Sequence, residues 1–122
     1  MLFRSSSTPL QALALLNDET YTEASRMLAE QMIVAGGATP RERLAYAFRR
    51  ATARPPSDAE IAVLQAGLER RIAQYTRDRA AAERLLSAGE APRNKTIDAV
   101  ELAAYTTAAS VILNLDEVVT KQ

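Results

Sequence analysis

Ser57-Asp58-Ala59-Glu60-Ile61-Ala62-Val63-Leu64-Gln65-Ala66-Gly67-Leu68-Glu69-Arg70-Arg71-Ile72-Ala73-Gln74-Tyr75 decides the fold class. Ile61, Leu64, Leu68, Ile72 and Tyr75 recur at three- and four-residue steps, which lays apolar side chains along one stripe of an α-helix. Ser57 and Glu60 stand at its start, where hydroxyl and carboxylate can each satisfy the other's free backbone donor as a capping box. Gly67 borders the stripe and costs about 1 kcal/mol relative to Ala in mid-helix, so it marks either close approach of a neighbouring helix or nothing.

Reading back from Ser57, Arg54-Pro55-Pro56 cannot continue a helix and makes a rigid extended connection. Thr39-Pro40-Arg41-Glu42 combines a second capping box with Pro at the first helical position, opening a helix that turns Leu44, Ala47, Phe48 and Ala51 inward. Gly36-Gly37 ends an earlier helix from about residue 19 to 35, with Tyr21, Ala24, Leu28, Met32 and Ala35 on one face. Asn17-Asp18 separates it from a short helix over residues 9–16, started by Thr8-Pro9 and apolar nearly all round through Leu10, Ala12, Leu13, Ala14, Leu15 and Leu16. Residues 1–7, with Ser5-Ser6-Ser7, read as a flexible tail ahead of a single helical domain over 8–122.

Reading forward, a helix over residues 78–88 should bury Ala82, Leu85 and Leu86 and stop at Gly89. A polar loop over 89–96 with Pro92 follows, and Asp98-Ala99-Val100-Glu101 opens a last helix through Leu102, Tyr105, Ala109, Ile112 and Leu113. Val118 and Val119 either extend it or form one further turn. Nothing alternates with period two over a useful length. The expected fold is all-α: a compact array of five or six helices without a sheet.

Composition agrees. In 122 residues, 48% are hydrophobic, 25% charged and 5% aromatic, matching a folded helical domain that reads as soluble. The start has no charged and apolar leader pattern, and no stretch reaches the roughly 20 apolar residues a bilayer needs, so membrane insertion is not expected. Without Cys or His the chain has no disulfide, thiolate nucleophile, Cys/His zinc site, haem attachment sequence or His-based triad. No Gly-x-Ser-x-Gly or Ser-x-x-Lys spacing occurs either, so independent catalysis and a cofactor are not expected.

Two constellations could carry function. Asn17, Asp18 and Glu19 cluster at one helix junction and Asn114, Asp116 and Glu117 at another, offering hard-cation ligands if the two ends meet. Helix capping explains the same residues. Arg41, Arg43, Arg49, Arg50 and Arg54 against Glu42 give residues 41–54 a net charge of +4, a patch for an anion or partner. Residues 18–30 hold Asp18, Glu19, Glu23 and Glu30 with only Arg26, a net of −3, so the two helices could complement each other. With 15 basic and 15 acidic residues and few aromatics, no nucleic-acid partner is expected.

Three blocks carry a family resemblance: Ser7-Thr8-Pro9-Leu10-Gln11-Ala12-Leu13-Ala14-Leu15-Leu16-Asn17-Asp18; Ala47-Phe48-Arg49-Arg50 leading to Arg54-Pro55-Pro56-Ser57; and Ser110-Val111-Ile112-Leu113-Asn114-Leu115-Asp116-Glu117. In order and spacing they resemble the C-terminal domain of unknown function of planctomycete cytochrome-C-domain-containing (PSD-type) proteins. The resemblance implies a secreted, periplasmic or cell-surface parent whose upstream domains are this chain's partners. It brings no catalytic residues, and electron transfer does not carry over, since Cys-x-x-Cys-His is absent. The expected role is a non-catalytic helical packing or interaction module. The alternative is that Asn17, Asp18, Asn114 and Asp116 contribute to an enzyme site completed by upstream domains and acting on an extracellular polymer. The apolar helix over 9–16 further suggests a homodimer through Leu13 and its neighbours.

Overall fold

The computed structural model describes the backbone of residues 18–120 and the side chains of residues 18–115. Among them are five helices and no strand: α1 Glu19–Ala35, α2 Pro40–Thr52, α3 Asp58–Arg77, α4 Arg79–Leu86 and α5 Ala99–Thr120. The all-α expectation holds. The helix expected over residues 9–16, Asn17, and the side chains of Asp116, Glu117, Val118 and Val119 lie outside what is described.

The helix ends form for the reasons the sequence suggested. Thr39 accepts from the Glu42 amide while Glu42 accepts from Thr39, and Ser57 and Glu60 repeat the exchange at α3. Asp18 caps α1 and Asp78 caps α4 through their side chains. Gly37 follows α1 at φ +123°, where a side chain would be strained. Asp98 accepts from the Glu101 amide at the start of α5, which then runs unbroken to Thr120.

The core is organised around α5, and each of the other four helices packs on it. Residues 102–110 are buried without interruption, so α5 is enclosed on all sides along that stretch. Its buried hydroxyls return to their own helix: Thr106 donates to the Leu102 carbonyl, Thr107 to Ala103 and Ser110 to Thr107. Met32, Leu44, Phe48, Ile61, Leu64, Leu68, Tyr75 and Leu86 close over it from the surrounding helices.

Three sequence readings are corrected and one alternative is resolved. The buried face of α1 is Thr22, Ser25, Arg26, Ala29 and Met32, while Ala24 and Ala35 are exposed and Tyr21 and Leu28 only half-buried. The inward stripe is thus rotated from the expected one: Ser25 on it donates to the Tyr21 carbonyl of its own helix, and Arg26 reaches the Ala91 carbonyl. Ile72 is 37% exposed, at the rim of its stripe. The fourth helix is shorter than residues 78–88 and leaves Leu85 half-buried. Of the two alternatives for Gly67 the second holds: a β-carbon there would meet only the Arg70 guanidinium, 3.6 Å away, and no neighbouring helix approaches.

Candidate functional site

Of the four Asn/Asp candidates, two have described side chains. Asp18 is exposed, and its Oδ1 accepts from the Tyr21 amide at 3.0 Å. Asn114 is buried in the packing of α5. Between them the Tyr21 hydroxyl donates to the Ser110 carbonyl, tying the start of α1 to the distal half of α5. Asn17 and the Asp116 side chain lie outside the described residues. Among the described residues no group of three or more carboxylates comes together to hold a metal ion.

The arginines of residues 41–54 divide into two kinds. Arg41 pairs with Asp58 and links the starts of α2 and α3 at the surface. Arg43 lies over the Tyr105 ring at 5.5 Å, donates to the Gly37 carbonyl and pairs with Glu101 at 3.3 Å. Arg54 lies over the Phe48 ring at 4.9 Å and holds both oxygens of Glu60, at 3.0 and 2.8 Å. That fork lowers the Glu60 carboxyl below the ordinary carboxylate range against the opposing effect of burial, with the Ser57 amide assisting. These three arginines fix α2 against α3 and α5.

Arg49 and Arg50 are different. Both are exposed, and neither pairs with a carboxylate among the described residues. Arg50 lies over the Tyr46 ring at 5.4 Å. With Gly36, Glu42, Ala45 and Tyr46 they line a surface groove of about 480 Å³. Glu42 is no free base in this groove: its carboxylate is tied to the amides of Ala38 and Thr39, which lower its pKa. The groove thus presents two guanidinium groups and the Tyr46 ring beside the amide-bound Glu42 carboxylate. The expected complement between this helix and the acids of residues 18–30 does not form among the described residues. Arg41, Arg43 and Arg54 pair with Asp58, Glu101 and Glu60, while Glu23 and Glu30 are used elsewhere.

Their use is a clamp that sequence reasoning missed. Arg26, 1% exposed, donates to Glu30 at 2.8 Å and to the Ala91 carbonyl at 2.7 Å. Glu23 accepts from the Ala91 amide, and Glu30 also accepts from the Asn94 amide at 2.8 Å. Gly89, at φ +85°, lets the loop pass so close that a β-carbon would sit 2.6 Å from the Glu23 carboxyl carbon. The signal was the i, i+3, i+7 spacing of Glu23, Arg26 and Glu30, which places them on one helical face. Their main-chain partners lie more than sixty residues away, beyond any local pattern.

A family model described as PSD1, protein of unknown function (DUF1553), matches residues 4–68, just over half of the chain. No curated protein and no solved structure matches. The match covers α1, α2 and the first half of α3, and so includes every residue of the Arg49–Arg50 groove.

Proposed function

The chain belongs to the PSD1 family of proteins of unknown function, and from that premise we propose that it is a non-catalytic helical module that packs on and binds protein. One observation carries the reading: the carboxylates nearest the groove and the loop are committed to the fold. Glu42 and Glu60 close capping boxes, Glu60 and Glu101 hold arginines, and Glu23 and Glu30 hold the loop. Of the arginines over residues 41–54, Arg49 and Arg50 have no carboxylate partner among the described residues and are left for an outside one. Acid–base catalysis needs a carboxylate within reach of substrate and free to exchange a proton, and these carboxylates are spent on structure.

The wider setting we propose is the C-terminal helical unit of a larger extracytoplasmic parent of the planctomycete cytochrome-C-domain-containing type, whose upstream domains are the partner. Support comes from the order and spacing of the three sequence blocks, two of which fall within the family match. Among the described residues no helix is long and apolar enough to cross a membrane, so the partner rather than a bilayer is the surface to test. The genomic sequence upstream of Met1 should continue in frame into further domains. Mixed with that separately produced region, the chain should co-sediment as a stoichiometric complex. Absence of any complex by sedimentation velocity overturns the module reading.

A further inference from the structure

The outer face of α2 holds a recognition element that is complete elsewhere in the molecule and incomplete here. Among the described residues an arginine lies over an aromatic ring in three places: Arg43 on Tyr105, Arg54 on Phe48 and Arg50 on Tyr46. Stacking holds the guanidinium plane and leaves its edge free to donate in parallel to a carboxylate. At the first two, that edge is filled from within the chain, by Glu101 and by Glu60. At the third no carboxylate of the described residues fills it, and Arg49, next in the chain, has none among them either. Both line the groove of about 480 Å³, whose other contributors include Ala45 and Tyr46.

We propose that this groove binds an acidic peptide segment of a partner protein, whose carboxylate completes the Arg50–Tyr46 stack while a second acidic side chain is held by Arg49. The proposal rests on the module reading and names the chemistry of its partner. Charge complementarity selects the occupant: the two arginines stand side by side in a chain of 15 basic and 15 acidic residues, so the groove is a local donor site rather than part of a broad basic field. A polyanion tracked along its backbone calls for such a field, with successive stacking rings, whereas this groove presents one ring, Tyr46. The apolar surface of Ala45 and the ring suits side chains flanking the acids.

The experiment is fluorescence anisotropy on the full chain. The probe is a fluorescein-labelled peptide of alternating Glu and Ala, with the Gln/Ala peptide, polygalacturonate and a short DNA duplex as competing arms. The Glu/Ala peptide should bind and weaken as salt rises from about 50 to about 300 mM, because the contacts are partly exposed. Arg49→Gln and Arg50→Gln should each weaken it roughly tenfold, as for loss of a hydrogen bond to a charged group. Arg50→Lys should weaken it nearly as much, since Lys keeps the charge and loses the planar fork, while Arg77→Gln should change nothing. All of these residues are exposed, and an unchanged circular-dichroism melt verifies folding. Full affinity in Arg50→Lys overturns the stacked-fork recognition, and equal binding of the Gln/Ala peptide overturns the carboxylate. Tighter binding of polygalacturonate or DNA overturns the peptide. Failure here with the upstream-domain complex intact sinks only this inference; loss of that complex sinks the module reading as well.

Discussion

Arg26 shows how much a single buried charge can organise. Its guanidinium is almost out of water, a position that is stable only when the charge is paired: Glu30 accepts from Nη1 and the Ala91 carbonyl from Nη2, while Nε has no hydrogen-bond partner among the described residues. Arg26→Ala would leave Glu30 without its cation and Ala91 without its donor, at a cost of about 3 kcal/mol. Urea unfolding should show this as a lower midpoint, and the amides of Ala91 and Asn94 should exchange faster; unchanged exchange there would contradict the clamp. Glu60 makes a second residue-scale prediction, in pH. Arg54 holds its folded pKa below the unfolded value of about 4.3, so the folded state binds fewer protons than the unfolded one as acid is added. The contribution is fully present above the unfolded value and is lost as pH falls through it toward the lower folded value. Wild type should therefore exceed Glu60→Gln in stability near pH 7, and the difference should shrink from about pH 5 downward. A constant difference would show that the Arg54 fork does not act through the ionised carboxylate.

The caps of the individual helices were legible because capping is local. Thr39 with Glu42, and Ser57 with Glu60, lie within four residues and need no tertiary partner, and both boxes formed as read. The face of α1 was not legible for the opposite reason. Its inward stripe contains Thr22, Ser25 and Arg26, which hydropathy assigns to solvent, and Arg26 is admitted by a loop far along the chain. The groove was half legible: residues 41–54 were seen as basic, but which arginines remain unpaired depends on where Asp58, Glu60 and Glu101 come to lie. One element end departs from the usual chemistry. Ala53, the cap after α2, sits at φ +62° and ψ +19°, a left-handed position that glycine normally fills. Ala53→Gly should stabilise the protein by about 0.5–1 kcal/mol, the relief of the β-carbon clash exceeding the added chain entropy. A lower denaturation midpoint in this variant would count against that conformation.

At the scale of the whole molecule, what matters is which helix stands at the centre, and periodicity could not decide it. The stretch over residues 9–16 and the stretch through Leu102 both lack a wide polar face in the sequence, and among the described residues it is α5 that the other helices enclose. Small side chains permit this: Ala103, Ala104 and Ala109 are fully buried, so neighbouring helices come close to the α5 backbone. Such a centre has no room to spare. Ala104→Leu should destabilise by about 1–3 kcal/mol through overpacking, whereas Ala62→Leu, on the exposed side of α3, should stay within about 0.5 kcal/mol. Because α1, α2, α3 and α4 share α5 as their common contact, no one of them can leave without exposing it, and the described helices should unfold together. Circular dichroism and tyrosine fluorescence followed through the same urea series should therefore give coincident curves in wild type and in Ala104→Leu. Separate transitions in wild type would mean that a peripheral helix detaches on its own, and that α5 is not the shared support its burial implies.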